Sequence, residues 1–254
     1  MNRERFERLA MEAALQGRTA GAYGFGTLAE KRMHAVIKKY LCDDESFHEV
    51  GVEGARFVSD IRVGNEIVEV QTGAFYPMKK KIAYYMEHTD CTVTVVHPIA
   101  KVRWMSWVEP GSMEIAPRRR VAGERAEQLL PELYCLKEHL GNPRLRFRLM
   151  LLEVHDFRLL SQRSKDRKRG SRLYERLPLS LLEEIDLQQS SDFSVFLPAA
   201  LPDHFTVKEL SRAIGLRGRD AYSAARVLVA LGLLIPAPPI GRAMAFFKGT
   251  EPHA

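Results

Sequence analysis

The sequence predicts an α/β protein carrying a small helical unit at its C-terminal end. Three observations lead there. Between residues 27 and 99 the apolar spacing switches in the order helix, three strands, helix, strand. A Gly-Asn pair separates two alternating segments, R-F-V-S-D-I-R-V and E-I-V-E-V-Q, as a two-residue hairpin turn does. From Phe205 onward the pattern changes to two short helices and a Gly- and Pro-rich pair of extended segments.

Residues 2 to 16 place Phe6, Leu9, Ala13 and Leu15 among Arg and Glu, a helical pattern that stops at G-A-Y-G-F-G, residues 21 to 26. Those glycines follow no strand and precede no Gly-Lys-Ser/Thr, so they read as a turn and not as a phosphate loop. The next helix opens at T-L-A-E, where Thr27 caps and Glu30 reaches back, and Met33, Ile37 and Leu41 share one face. Strands are expected at F-H-E-V-G-V-E, R-F-V-S-D-I-R-V and E-I-V-E-V-Q, then a helix from Pro77 through K-K-K-I-A-Y-Y-M-E-H. C-T-V-T-V-V-H-P-I reads as a buried strand, and R-W-M-S-W-V as another. P-R-R-R ends a loop, residues 124 to 140 have the spacing of an amphipathic helix, and residues 146 to 160 form a strand pair or one long strand. A dense basic loop follows, and L-P-L-S-L-L-E-E-I-D-L is expected as a helix opened by Pro178.

Composition narrows the function. The chain has 254 residues, enough for one large or two ordinary domains, and a formal charge of +6 whose positive residues are clustered, which suits a polyanionic partner. Cys42, Cys91 and Cys135 are far apart and form no Cys-x-x-Cys pair, which argues against a zinc ribbon or a disulfide framework and fits a reducing compartment. The N-terminus lacks a secretory apolar stretch and no window is apolar enough to span a membrane, so a cytoplasmic location and no membrane partner are expected. The histidines make no H-x-x-x-H pair, and no G-x-S-x-G elbow is present, which removes the common zinc and serine hydrolases.

The Gly64-Asn65 turn fixes a register. Val63 should pair with Glu66, Arg62 with Ile67 and Ile61 with Val68, leaving Asp60 directly opposite Glu69 with Cβ atoms about 5 Å apart. Two like charges at that separation call for a cation, and hard oxygen ligands suit Mg²⁺ or Mn²⁺. Gln71 shares the face of Glu69. The bland alternative is a solvated sheet face neutralised by Arg62.

Glu30 on a first helix, Asp60 on the second strand and Glu69-Val70-Gln71 on the third, followed by a Lys-rich helix and an apolar strand, resemble the PD-(D/E)xK nuclease core over residues 25 to 100. The resemblance implies a restriction-endonuclease-like fold, a central mixed sheet flanked by helices. It also implies that Asp60 and Glu69 are metal ligands, that Glu30 supports the metal or its water, and that Gln71 stands where the family usually has Lys. A Gln orients water but supplies no charge, so Lys79, Lys80 or Lys81, with Lys80 as the representative choice, is expected to bring the cation back.

The remaining basic groups point to nucleic acid. Arg163, Lys165, Arg167, Lys168, Arg169 and Arg172 form the densest run, which Arg118, Arg119 and Arg120 can extend. At the C-terminal end, Thr206 and Glu209 form a second capping box and the helix stops at Gly215. The turn G-L-R-G leads to a second helix bearing Arg217, Arg219, Tyr222 and Arg226, and a two-stranded wing carries Arg242 and Lys248. Helix, turn, helix, wing is the winged helix-turn-helix order, used to read duplex DNA and also for protein contacts or homodimers. The expected division is a nuclease-like domain over 1–200 and a winged unit over 201–254. The expected function is a divalent-metal-dependent DNA nuclease; the alternative is an inactive nuclease-fold protein that binds DNA or regulates.

Overall fold

The structure, a computed structural model, describes residues 1–19, 29–160 and 170–249, and the side chains of 16–19 and 29–31 stay outside that description. The Gly-rich stretch at 21 to 26, Thr27, the Glu30 side chain and the basic residues Arg163, Lys165, Arg167, Lys168 and Arg169 therefore lie outside the described residues.

Helices α1 (Arg3–Thr19) and α2 (Ala29–Leu41) precede three strands, β1 (His48–Gly51), β2 (Val58–Val63) and β3 (Glu66–Val70). Helix α3 (Lys79–His88) leads to the long strand β4 (Thr92–Val108), then β5 (Arg119–Val121) and the short helix α4 (Leu129–Leu133). Two more long strands, β6 (Leu145–Leu160) and β7 (Ser171–Leu187), complete a seven-stranded mixed sheet in the order β1-β2-β3-β4-β6-β7, with β5 added along β4. Neighbours β1–β2, β2–β3, β4–β5 and β6–β7 run antiparallel, whereas β3–β4 and β4–β6 run parallel.

The alternation of side chains along the central strands divides the core in two. Val96, Ala100, Met150 and Leu152 meet Phe6, Leu9, Met33 and Ile37 of α1 and α2. Their sequence neighbours Val95, Ile99, Leu149 and Leu151 meet Phe75, Ile82, Tyr85 and the leucines 129, 130, 133 and 136 on the opposite face. Helices thus cover both faces, which is why β4 and β6 read as near-continuous apolar runs.

The final segment forms β8 (His204–Thr206), α5 (Val207–Ile214), α6 (Gly218–Ala230), β9 (Leu234–Ile240) and β10 (Ala243–Lys248), with a separate sheet in the order β8-β10-β9. The capping box forms as the sequence requires: Glu209 N–H donates to Thr206 Oγ1 at 3.3 Å and Thr206 N–H to Glu209 Oε2 at 2.7 Å. Gly215, at φ +71°, ends α5 in the left-handed conformation that glycine tolerates. The unit has no core of its own, because Leu210, Ala224, Val227 and Leu228 belong to the same apolar cluster as Leu130, Leu133 and Phe147.

Three expectations need correction. Residues 177–187 are the second half of β7, not a helix. Register shifts opposite Leu151/Leu152, Glu153/Val154 and Phe157/Arg158 insert extra residues into β7, so its apolar spacing drifts from two towards a helical period. Pro178 is tolerated because β7 is the edge strand and the proline adjoins one of these shifts. Residues 124–140 are not one helix but 3₁₀ turns at Ala126–Gln128 and Tyr134–Leu136 flanking α4. Pro131 lacks the N–H that would bond to Glu127 and its ring crowds that carbonyl, which confines the α-helical turn to the residues around and after it. Third, the two strands expected at 91–99 and 103–108 are one, with a shift between Ala100 and Val102 absorbing the irregularity.

Since the C-terminal unit shares its core with the main sheet, the chain should unfold as one cooperative body. Leu133→Ala, at a fully buried position, should cost about 2–5 kcal/mol, and circular dichroism and a probe on α6 should report the same denaturation midpoint. Separate midpoints would contradict the shared core.

Candidate active site

The hairpin turn is the one the sequence demands. Gly64 has φ +57°, and the ladder pairs Val63 with Glu66, Arg62 with Ile67 and Ile61 with Val68. The ladder ends there, one pair short of the expected Asp60–Glu69 pair. Instead the Asp60 carboxylate accepts the Val70 N–H through Oδ2 at 2.7 Å, satisfying a β3 donor for which β2 no longer supplies a carbonyl acceptor. Asp60 is thereby fixed at the point where β2 leaves β3.

Its second partner comes from α2: His34 Nε2 lies 3.0 Å from the same Oδ2. Burial alone would raise the Asp60 pKa, but the hydrogen bond and charge of His34, the Val70 amide and Lys81 outweigh it and hold the carboxyl below its usual range. Asp60 stays ionised and partly open to solvent.

Glu69 is held differently. Its side chain is 4 % exposed, with Lys81 Nζ 2.5 Å from Oε2 and the Tyr85 hydroxyl donating to Oε1 at 2.8 Å. Lys81 and Tyr85 stand four residues apart on α3, so both face the sheet from one stripe of the helix. Burial is the largest influence on Glu69 and raises its pKa to about 7, against the pull of Lys81; the nearby Asp60 adds to the rise. A buried carboxylate in this state lacks enough positive charge around it.

The other expected residues fall as follows. Gln71 donates its side-chain amide to the Ala74 carbonyl at 2.6 Å and its backbone carbonyl accepts from His97 Nδ1 at 2.6 Å, so it ties down the turn after β3. Lys79 and Lys80 are exposed, and Lys81 is the lysine that reaches the carboxylates. The backbone of Glu30 lies in the first turn of α2. Sequence reasoning missed Tyr85 and His34 as site residues. The four-residue step from Lys81 to Tyr85, and from Glu30 to His34, is the helical spacing that carried the signal.

On the C-terminal unit, Arg217, Arg219 and Tyr222 are exposed on the start of α6. Arg226 is turned to the main body, where it donates to the Tyr134 hydroxyl at 3.0 Å.

The family model described as Domain of unknown function (DUF8091) matches residues 31–188. The chain belongs to this family. The matched stretch runs from α2 to the end of β7, so the family region contains Asp60, Glu69, Lys81 and the whole large sheet and leaves out the C-terminal unit. No curated protein and no solved structure matches the chain.

Asp60 and Glu69 are the side chains of this site that could hold a divalent ion. Among the described residues no group of three or more His, Cys, Asp or Glu side chains is arranged to hold a metal by itself. Two carboxylates, one of them partly solvated, are nevertheless the donor set with which Mg²⁺ is held when waters and a substrate phosphate complete its shell.

The Glu69 shift sets a pH dependence. In the folded chain Glu69 releases its proton near 7 rather than near 4.5, so the native state binds that proton more tightly than the unfolded state. Stability must then fall as pH rises from about 4.5 to 7 and level off above. Glu69→Gln cannot ionise and should lack this decline. The stability of wild type relative to the variant, measured by urea unfolding in chelator, should drop by on the order of 2 kcal/mol between pH 5 and pH 8. A constant difference would contradict the raised pKa.

Proposed function

We propose that this member of the DUF8091 family is a divalent-metal-dependent nuclease that hydrolyses phosphodiester bonds in DNA. The observation that carries the reading is the convergence of Asp60, Glu69 and Lys81 from β2, β3 and α3 at one end of the hairpin, with the lysine supplied by the helix after β3. The positive charge missing at Gln71 is thus present from another position. The strand order β1-β2-β3-β4, antiparallel and then parallel across α3, supports a restriction-endonuclease-like core, and the order β8, α5, α6, β9, β10 supports a winged-helix unit.

In this reading Asp60 and Glu69 hold Mg²⁺ or Mn²⁺, and the ion, when bound, supplies positive charge to the scissile phosphate. His34 and the Val70 N–H fix the orientation of Asp60. Lys81 moves from Glu69 to a phosphoryl oxygen as negative charge builds there. Tyr85 remains on Glu69 Oε1 and keeps that carboxylate in place. Arg217, Arg219 and Tyr222 offer polar groups to duplex at the exposed start of α6.

A second reading has one observation in its favour: both Glu69 oxygens are already engaged, by Lys81 and Tyr85. A chain in which that lock never opens keeps the fold and binds DNA without cutting it.

Plasmid nicking separates the two. The nuclease reading expects Mn²⁺-dependent nicking by wild type, at least a hundredfold loss for Lys81→Ala, loss for Asp60→Asn, and a modest effect of Gln71→Ala. The silent reading expects no cutting by wild type, with slow cutting appearing in Gln71→Lys. Nicking that persists without metal and in Asp60→Asn would defeat the proposed site.

A further inference from the structure

We propose that the outer half of the large sheet is a clamp for the phosphate backbone of duplex DNA, engaged about one helical turn from the carboxylate pair. β4, β6 and β7 continue past the end of β3 as strands of 16 or 17 residues, and β5 extends the ribbon sideways, pairing Arg120 with Trp104 and Arg119 with Met105. This part of the sheet contributes nothing to the Asp60–Glu69 site, yet it concentrates arginine.

The charge there is arranged with a surplus left outside. The three carboxylates on the outer half of these strands each have a partner. Asp156, fully buried, accepts from Arg176 at 2.6 Å and from Arg103 at 2.7 Å. Glu153 accepts the Trp104 indole N–H at 2.6 Å, and Glu175 is buried against Arg32. Arg118, Arg119 and Arg120 are exposed and make no ion pair with the described residues.

Two of the three are held in place by stacking. The Arg118 guanidinium sits 4.6 Å from the Trp104 ring centre and that of Arg119 sits 4.1 Å from Trp107. The two tryptophans are three residues apart on one strand, so their pairs occupy opposite faces of the ribbon. A stacked guanidinium keeps its N–H edge free for phosphate and loses less entropy when it binds. An arginine already occupies one face of each half-buried ring, which disfavours base stacking there and therefore single strands. Backbone contact with a duplex is what the arrangement suits.

The spacing agrees. Val96 is level with Val70 at the carboxylate pair. Trp104 and Trp107 lie eight and eleven residues further along β4, roughly 26–36 Å at about 3.3 Å per residue. One turn of B-form DNA spans roughly 34–36 Å. A duplex held at the pair with its axis parallel to β4 would present a phosphate ridge to the ribbon one turn away.

The choice of DNA as occupant rests on the nuclease reading, so binding is measured in chelator, where cleavage plays no part and the two ideas fail separately. Both tryptophans of the chain lie in the ribbon, so their emission reports on it alone. The full chain is titrated with a duplex of about 30 bp, long enough to span the roughly one-turn separation. Tryptophan emission should change with the binding curve. In Arg118→Ala/Arg119→Ala/Arg120→Ala the slope of log K against log salt should flatten by up to about 1.8, the share of the two arginines on one face, while the matching triple lysine variant keeps the wild-type slope. Arg120→Ala alone, which disturbs no stack, should remove up to about 0.9 and keeps the claim testable if the triple alanine variant does not fold. Unchanged emission at saturation, an unaltered salt slope in a folded alanine variant, or tighter binding of single-stranded DNA or RNA of equal length would overturn the clamp.

Discussion

Everything at the end of the hairpin follows from burying the charge of Glu69. A carboxylate placed between β3 and α3 loses its hydration, and the protein returns only one ammonium and one hydroxyl, from Lys81 and Tyr85. That is enough to keep the side chain in place and not enough to hold its pKa in the ordinary carboxylate range. The result is a carboxylate fixed between Lys81 and Tyr85 with its pKa raised to about 7. Asp60, ionised by His34 and the Val70 amide, completes a pair whose members are tuned apart: one charged and partly open, the other buried and close to neutral.

The surrounding fold serves this arrangement. β3 is flanked by β2 on one side and β4 on the other, so the hairpin end is anchored by ladders in two directions. Helix α2 brings His34 from one face and α3 brings Lys81 from the other, each fastened by its own apolar cluster. Two helix side chains, one from each layer, thus meet the two strand carboxylates at one strand end. Beyond the site the long strands carry basic surface outward, and the C-terminal unit docks through α6 against α4, with Arg226 on Tyr134 as a polar fastening.

Much of this was legible in the amino-acid sequence because the decisive signals were local. Gly64-Asn65 permitted one turn and one register, and that register holds for three pairs. Thr206 and Glu209 marked the start of α5 by the reciprocal bonds they form. The illegible parts depend on distant contacts. The three bulges of β7 exist only against β6, and from the strand alone they mimic helical spacing. Which of three consecutive lysines reaches Glu69 is a question of helix rotation, settled by Ile82 and Tyr85 packing inward and carrying Lys81 with them. The Asp60–Val70 bond arises where the β2–β3 ladder stops, a point invisible in the turn residues.

The account is tested most directly by a crystal of the wild-type chain soaked in Mn²⁺. It predicts an anomalous peak between the Asp60 and Glu69 carboxylates, with both as ligands and Lys81 Nζ withdrawn from Glu69 Oε2. Absence of manganese at full soak, with the Lys81–Glu69 contact intact, would contradict it and leave the lock as a purely structural ion pair.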